Sequence, residues 1–401
     1  MRARLGIMMF LEFFVWGSWF VTMGSYLTGP LGFSGAESAM AYSTQSWGAV
    51  IAPFVIGLIA DRYVNAERLL GVIHLIGAGL MYVLANATEF DAFFPYLLAY
   101  MVLYMPTLAL VNAIAFRQMD DPARRFGVIR ACGTFGWIVA GLLISYVFDW
   151  DADARIFMMA SVACLVLGVF SFTLPRTPPP KTAGGGLREA LGIDALSLLR
   201  DRNFLVFFVA SILICIPLAF YYQHGNQFLT EIGVENATGW QTIGQVSEMV
   251  LMLLVPFFLM RLGMKGTLLL GMAAWTLRYV LFAYGDAGNL FFVLILGIAL
   301  HGICYDFFFV SGQLFTDSKA GARYKSAAQG MITLATYGVG MLIGFWVAGQ
   351  LTAAFAIEGG HNWRSIWIYP AGFAALIAVL FGLLFRNEVV AYKSAPTSTP
   401  V

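Results

Sequence analysis

Apolar stretches of about 20 residues recur along the whole chain, separated by short segments that hold nearly all of the charge. A helix rises about 1.5 Å per residue, so a run of that length crosses roughly 30 Å of bilayer hydrocarbon. Lipid offers the backbone no hydrogen-bond partner, which makes helices the expected form of such runs. Twelve spans can be drawn, at roughly 6–28, 38–60, 67–86, 93–116, 125–148, 155–174, 203–224, 238–260, 266–284, 289–315, 325–354 and 364–386. With 60% hydrophobic and 11% charged residues, an ordinary soluble domain is excluded. The expected fold is an all-α integral membrane protein of twelve transmembrane helices.

Orientation follows from the basic residues. Of 23 Lys and Arg, all but Arg130, Arg155, Arg278 and Arg364 fall at the termini or beside loops 2–3, 4–5, 6–7, 8–9 and 10–11. The opposite loops carry Glu89, Asp91, Asp149, Asp151, Asp153, Glu231 and Glu235. Basic residues stay on the cytoplasmic side, so both termini are expected there. The first apolar run begins near Gly6 and is too long for a signal peptide, with no small-residue cleavage site. A net charge of +1 gives no reason to expect a nucleic-acid partner. Cys132, Cys164, Cys215 and Cys304 lie in apolar spans without ligand-like spacing and read as packing residues. No cofactor or metal is expected. The N-x-T tripeptides at Asn86 and Asn236 carry no argument.

The longest connection, Pro175-Arg-Thr-Pro-Pro-Pro-Lys-Thr-Ala-Gly-Gly-Gly186, reads as a flexible linker followed by an amphipathic surface stretch from Leu187 to Leu199. It divides the chain into a six-helix half at 1–174, a linker at 175–202, a second half at 203–386 and a cytoplasmic tail at 387–401. The halves echo one another weakly. Ala52-Pro53-Phe54 before Asp61-Arg62 parallels Val255-Pro256-Phe257 before Arg261, and the 117–125 connection parallels 317–325. Two six-helix repeats around a midplane site are the design of alternating-access transporters.

Ionisable groups inside the spans point to that site, because a charge at membrane depth is costly unless it faces protein or water. His301-Gly-Ile-Cys-Tyr305-Asp306 places an imidazole, a phenol and a carboxylate in span 10. His301 and Tyr305 are one turn apart, while Asp306 lies about 140° round from His301. In span 5, Arg130 and Thr134 share a face, with Trp137 a turn further on. That set suits an aromatic, hydrogen-bonding ligand; the alternative is an Arg130 that snorkels to the interface. Span 8 offers Gln245 and Glu248 on one face, and span 9 offers Arg278. Arg278 is a candidate ion-pair partner for Glu248 or Asp306, so that two cations and two anions balance. Span 7 ends in Tyr221, Tyr222, Gln223, His224 and Asn226, a polar aromatic segment able to contact a heterocycle or to form an interfacial belt. Glu12, near the edge of span 1, reads as solvated, and Asn112 as an interhelical hydrogen bonder. No Walker sequence, paired metal-binding cysteines or H-E-x-x-H is present, and an enzyme is not expected.

Several blocks together resemble the nucleoside:proton symporters of the major facilitator superfamily. They are Trp16-Gly-Ser-Trp19, Tyr104-Met-Pro-Thr-Leu-Ala-Leu-Val-Asn112, Arg130-Ala-Cys-Gly-Thr134, Gln245-Val-Ser-Glu248, Leu277-Arg-Tyr-Val-Leu-Phe-Ala-Tyr-Gly-Asp286, Tyr305-Asp-Phe-Phe308 and Ala327-Ala-Gln-Gly330. The resemblance runs nearly end to end. The superfamily's loop 2–3 signature is kept in Gly57-Leu-Ile-Ala-Asp61-Arg62 but lost at Val64-Asn65. It implies a monomeric importer of nucleosides and protons in a bacterial inner membrane. It further implies Arg130, Thr134, Gln245, Glu248 and Asp306 as site residues, with Asp306 or Glu248 carrying the proton. Departures fall on the pocket wall. Ala219 and Tyr222 replace a Gln and an Asn, His301 a Tyr, Tyr305 a Phe, Trp137 a Phe and Glu12 a Gln. The alternatives are a facilitator or exporter of another polar solute, such as a sugar or nucleobase, or a solute receptor that does not transport.

Overall fold

The computed structural model describes residues 2–55, 63–119, 122–179 and 193–388. Each of the twelve expected spans has a helical counterpart there, and the helices are numbered accordingly. They are α1 (Arg2–Gly17, resuming as Met23–Thr28), α2 (Gly35–Val55), α3 (Ala66–Leu84), α4 (Phe90–Arg117), α5 (Phe126–Phe148) and α6 (Arg155–Ser171). The remainder are α7 (Arg202–Glu231), α8 (Ala237–Met252), α9 (Val255–Tyr284), α10 (Phe291–Gly321), α11 (Ala327–Ala354) and α12 (Trp363–Leu384). Eight are individually long and apolar enough to cross a bilayer: α3, α4, α5, α7, α9, α10, α11 and α12. Of the other four, α1 is broken, α2 runs to the edge of the described residues, and α6 and α8 are shorter. Large side chains such as Phe292, Trp346 and Leu383 stand exposed on the outside of the bundle, as lipid-facing positions require.

Local chemistry explains where helices bend. In α1 the Ser18 hydroxyl donates to the Phe14 carbonyl at 2.6 Å, a back-bond that disturbs the helical ladder just where α1 breaks. The spans expected at 238–260 and 266–284 are partitioned differently. Helix α8 stops at Met252, and the next helical piece begins at Val255 and is interrupted at Gly263, whose φ of 67° favours glycine. Gly321, at φ 59°, turns the chain between α10 and α11 in the same way. Three π-type stretches occur: Leu143–Phe148 ends α5, and Asp306–Val310 and Leu334–Gly340 interrupt α10 and α11. Such bulges recur at functional sites. A two-residue hairpin, Ala356–Ile357 with Gly360–His361, joins α11 to α12.

The packing has two levels. Helix α1 packs chiefly on α5, α3 on α6, α2 on α4 and α9 on α12, while α2 meets α11, α5 meets α8, and the second piece of α1 meets α7. These latter approaches use small residues. A Cβ on Gly24 would stand 2.5 Å from the Gln223 carbonyl, and one on Gly35 would stand 2.9 Å from that of Gly349.

The beginning of the linker differs from the expected flexible segment. Thr177 N donates to Glu67 Oε2 at 2.8 Å, Ala66 N to the Thr177 carbonyl at 3.0 Å, and Gln118 Nε2 to the Arg176 carbonyl at 3.2 Å. The Ala66 backbone N–H and the side chains of Glu67 and Gln118, at the ends of α3 and α4, thus dock residues 176–177. The rest of the linker and the first part of the expected amphipathic stretch lie outside the described residues. Ile193–Arg200 is a short 3₁₀ helix.

Asp201 caps α7 by accepting from Phe204 N at 2.8 Å and pairs with Lys319 Nζ at 3.0 Å. Burial opposes its charge, but the Phe204 N–H and Lys319 outweigh it and hold the carboxyl below its usual range. Stability from such a depressed group is present above its unfolded value and is lost as pH falls through the folded one. Asp201→Ala is therefore expected to remove about 1 kcal/mol, seen as a lower melting temperature near neutral pH. The difference should shrink as pH falls below roughly 4, the unfolded value, and vanish at the lower pH where the native carboxylate takes up its proton.

Candidate functional site

A cavity of about 470 Å³ lies among α1, α2, α4, α5, α7, α8, α10 and α11, within the size range of small-molecule sites. Its wall contains eight of the eleven expected residues: Arg130, Thr134, Trp137, Tyr222, Gln245, Glu248, His301 and Tyr305. Arg130 lines the cavity. Its guanidinium carbon stands 4.1 Å from the ring centroid of Phe13, a cation–π contact that offsets part of the cost of the buried charge. Gly133 and Gly136 let α5 lie close against α1 here.

Aromatic rings make up much of the remaining surface. Trp16 and Trp137 meet edge to face at 5.5 Å, and His301 stacks on Tyr305 at 5.9 Å. The hydroxyls of Tyr305 and Tyr337 share a hydrogen bond at 2.7 Å. Glu248 Oε2 lies 3.8 Å from His301 Nε2, and Ser247 donates to the Ala299 carbonyl at 2.5 Å, tying α8 to α10. The cavity thus presents a guanidinium from α5, a carboxylate from α8 and several flat rings. Such a surface can hydrogen-bond a polar ligand and stack on a planar one.

Three expected residues stand elsewhere. Asn226 is fully buried beyond the cavity, accepting from Ser25 Oγ at 2.5 Å and donating to Thr238 Oγ1 at 2.8 Å and Gln241 Oε1 at 2.9 Å. Gln223 is buried nearby, and its amide has no hydrogen-bond partner among the described residues. Asp306 is fully buried outside the cavity wall, at the start of the π-type stretch of α10, and neither carboxyl oxygen has a described hydrogen-bond partner. The 140° between Asp306 and His301 is the reason: α10 turns His301 and Tyr305 to the cavity and Asp306 into the bundle.

The expected pairing of Arg278 with Glu248 or Asp306 is not found. Arg278 Nη1 donates instead to His301 Nδ1 at 3.0 Å, which places the imidazole between the guanidinium and Glu248. Glu12 is also corrected. It is fully buried, 3.0 Å from His74 Nε2, and accepts from Thr107 Oγ1 at 2.5 Å. Helix α1 begins at Arg2, which puts Glu12 nearly three turns in, where α3 and α4 converge on it. Gln45, Thr333 and Tyr337, unremarked in the sequence, line the cavity, as does Asn112. Lone amides and hydroxyls in apolar spans gave no spacing by which to choose them.

The end of the bundle away from the N-terminus is closed. Beside the Asn226 network, Thr238 N donates to Asp151 Oδ1 at 2.7 Å and Gly239 N to Ser145 Oγ at 2.7 Å, so Ser145 near the end of α5 and Asp151 just beyond it cap the start of α8. The cavity-lining residues Ala49 and Ala52 of α2, Asn112 of α4 and Gly330 of α11 continue toward the N-terminal side.

A twelve-helix bundle enclosing a polar, aromatic cavity and closed at one end is a multi-pass membrane protein of the major facilitator fold. Residues 1–389 match the family model described as nucleoside H+ symporter, and the chain belongs to that family. It is 44% identical to the putative nucleoside transporter YegT of Escherichia coli K12, over 98% of this chain and 96% of that protein. It is 34% identical to the xanthosine permease of the same organism, over 96% and 95%. The crystal structure of the nucleoside transporter NupG superposes with a TM-score of 0.89 at 31% identity, covering 96% of this chain and 99% of that one. An auto-inhibited peptide transporter, at 17% identity and a TM-score of 0.75, shares the fold alone.

The Glu12 cluster yields a direct test. Glu12→Ala strands His74 and Thr107 without their partner and is expected to cost about 1–3 kcal/mol, read as a lower melting temperature in detergent. Glu12→Gln retains an acceptor and should recover most of that loss.

Proposed function

We propose that this protein imports nucleosides together with protons by alternating access, with the central cavity as the ligand site. The observation that carries this reading is that Arg130 on α5 and Glu248 on α8 line one cavity together with Trp16, Trp137, Tyr222 and Tyr305. Rings stack on a nucleobase, while Arg130, Thr134, Gln245 and Glu248 supply donors and acceptors to base edges and sugar hydroxyls. The similarity to proteins named as nucleoside and xanthosine permeases supports the same ligand class.

The two units of exchange are residues 1–174 and 203–386, joined by 175–202, in a monomer of the bacterial inner membrane. Basic residues on the N-terminal side support cytoplasmic termini, so the described state is the inward-facing one. Asn226, with Ser25 and Thr238, belongs to the closed outer end, and Gln223 lies beside it. These residues act on access rather than on ligand contact in this state.

Asp306 and Glu248 carry the proton. A carboxylate buried as Asp306 is, without a described partner, costs several kcal/mol, with values from roughly 2.5 upward for an acid at membrane depth. Protonation removes that charge and lets the helices close around a bound solute. Proton and nucleoside each drive the cycle only by favouring one conformation over the other.

In proteoliposomes with an acid exterior, the wild-type protein is expected to accumulate labelled uridine above the external concentration. Asp306→Asn should abolish accumulation while leaving uridine counterflow. Accumulation by the Asn variant would remove Asp306 from the coupling role, and displacement by sugars rather than nucleosides would overturn the ligand class.

A further inference from the structure

The proposed cycle leaves one buried charge without a task. Arg278 of α9 is fully buried, with its guanidinium carbon 3.5 Å from the ring centroid of Tyr221, 5.4 Å from Phe282 and 5.6 Å from Trp275. Its Nε and Nη2 have no hydrogen-bond partner among the described residues, and no described carboxylate pairs with it. The hydrogen bond it does make runs from Nη1 to His301 Nδ1 at 3.0 Å.

An arginine side chain has donors and no acceptor. Nδ1 of His301 must therefore accept, and a neutral imidazole then carries its hydrogen on Nε2. That nitrogen lies 3.8 Å from Glu248 Oε2, beyond hydrogen-bonding distance, and His301 lines the cavity. Two atoms 3.8 Å apart are both within hydrogen-bonding reach of one oxygen placed about 2.9 Å from each.

We infer that Arg278 is a positioning residue for ligand selection: it holds His301 in the Nε2–H form, so that the cavity wall between α8 and α10 offers a donor beside the acceptor Glu248. This deepens the nucleoside reading and rests on it for the identity of the ligand. The atom seated there is a hydrogen-bond acceptor, or a hydroxyl that accepts from His301 and donates to Glu248. Aromatic packing fixes both partners, since the Tyr221 ring of α7 lies against the Arg278 guanidinium and is tilted against the His301 ring at 5.4 Å.

Without the guanidinium, Nδ1 is free to hold a hydrogen, and the imidazole regains both tautomers. The ionisable groups against it are then Glu248 of α8, Tyr221 of α7 and Tyr305 of α10.

The test uses the full chain in detergent with isotopically labelled histidine. The chain has four histidines, and the His301 signal is identified by its loss in His301→Gln. The wild type is expected to show a neutral Nε2–H ring at His301. Arg278→Gln should add an Nδ1–H form to that signal and weaken uridine binding roughly tenfold, the loss of one well-placed hydrogen bond. Adding Arg278→Gln to His301→Gln should weaken binding no further. An Nδ1–H ring in the wild type overturns the inference even if no variant folds. An Arg278→Gln variant with unchanged His301 spectra and unchanged binding does the same. The spectra need no ligand, so a failure of the nucleoside reading is distinguishable from a failure of this one.

Discussion

The structure depends on how ionised side chains are kept among helices that lipid surrounds. A charge at this depth is tolerated against protein or an aqueous cavity, and each group uses a different device. Arg130 rests on the Phe13 ring at the cavity wall, and Arg278 lies against Tyr221 and donates to a histidine. Glu248 faces the cavity, while Glu12 is enclosed with His74 and Thr107. Asp306 alone among these is buried with both oxygens lacking a described partner. This unequal treatment separates groups that hold the bundle together from groups whose charge can change during a cycle.

The closed end adds the second constraint. Contacts across the bundle there join backbone to side chain, as in Asp151 and Ser145 on the first turn of α8, or bring backbones together at glycines such as Gly24 and Gly35. Hydrogen bonds of this kind are individually worth little net free energy, about 0.5–1.5 kcal/mol, and exchange readily for water. Contacts of that size can be broken and remade as helices move past one another. That reversibility is what an alternating-access protein needs at each gate.

Much of this was legible in the chain. Apolar run length placed twelve helices, and i,i+4 spacing brought Arg130 with Thr134 to one face and His301 with Tyr305 to another. The reasoning stopped at tertiary facts. One-helix periodicity showed that Asp306 diverges from His301, but not which of the two meets the cavity. Charge balance suggested Arg–carboxylate pairs, whereas an imidazole intervenes, because opposite charges in different helices carry no register in sequence. Glu12 was read from its distance to a span edge that lay four residues earlier than drawn. Gly263 and Gly321 ended helices at positions hydropathy cannot see, since positive φ leaves no mark on an apolar average.

The central claim is that proton and nucleoside enter together through the Arg130–Glu248 cavity. It is tested most directly by adding uridine outside proteoliposomes at equal internal and external pH in weak buffer. The account predicts alkalinisation of the outer medium that rises with uridine entry and vanishes when the membrane is made leaky to protons. Uridine entry at the full rate with no change in external pH would contradict it.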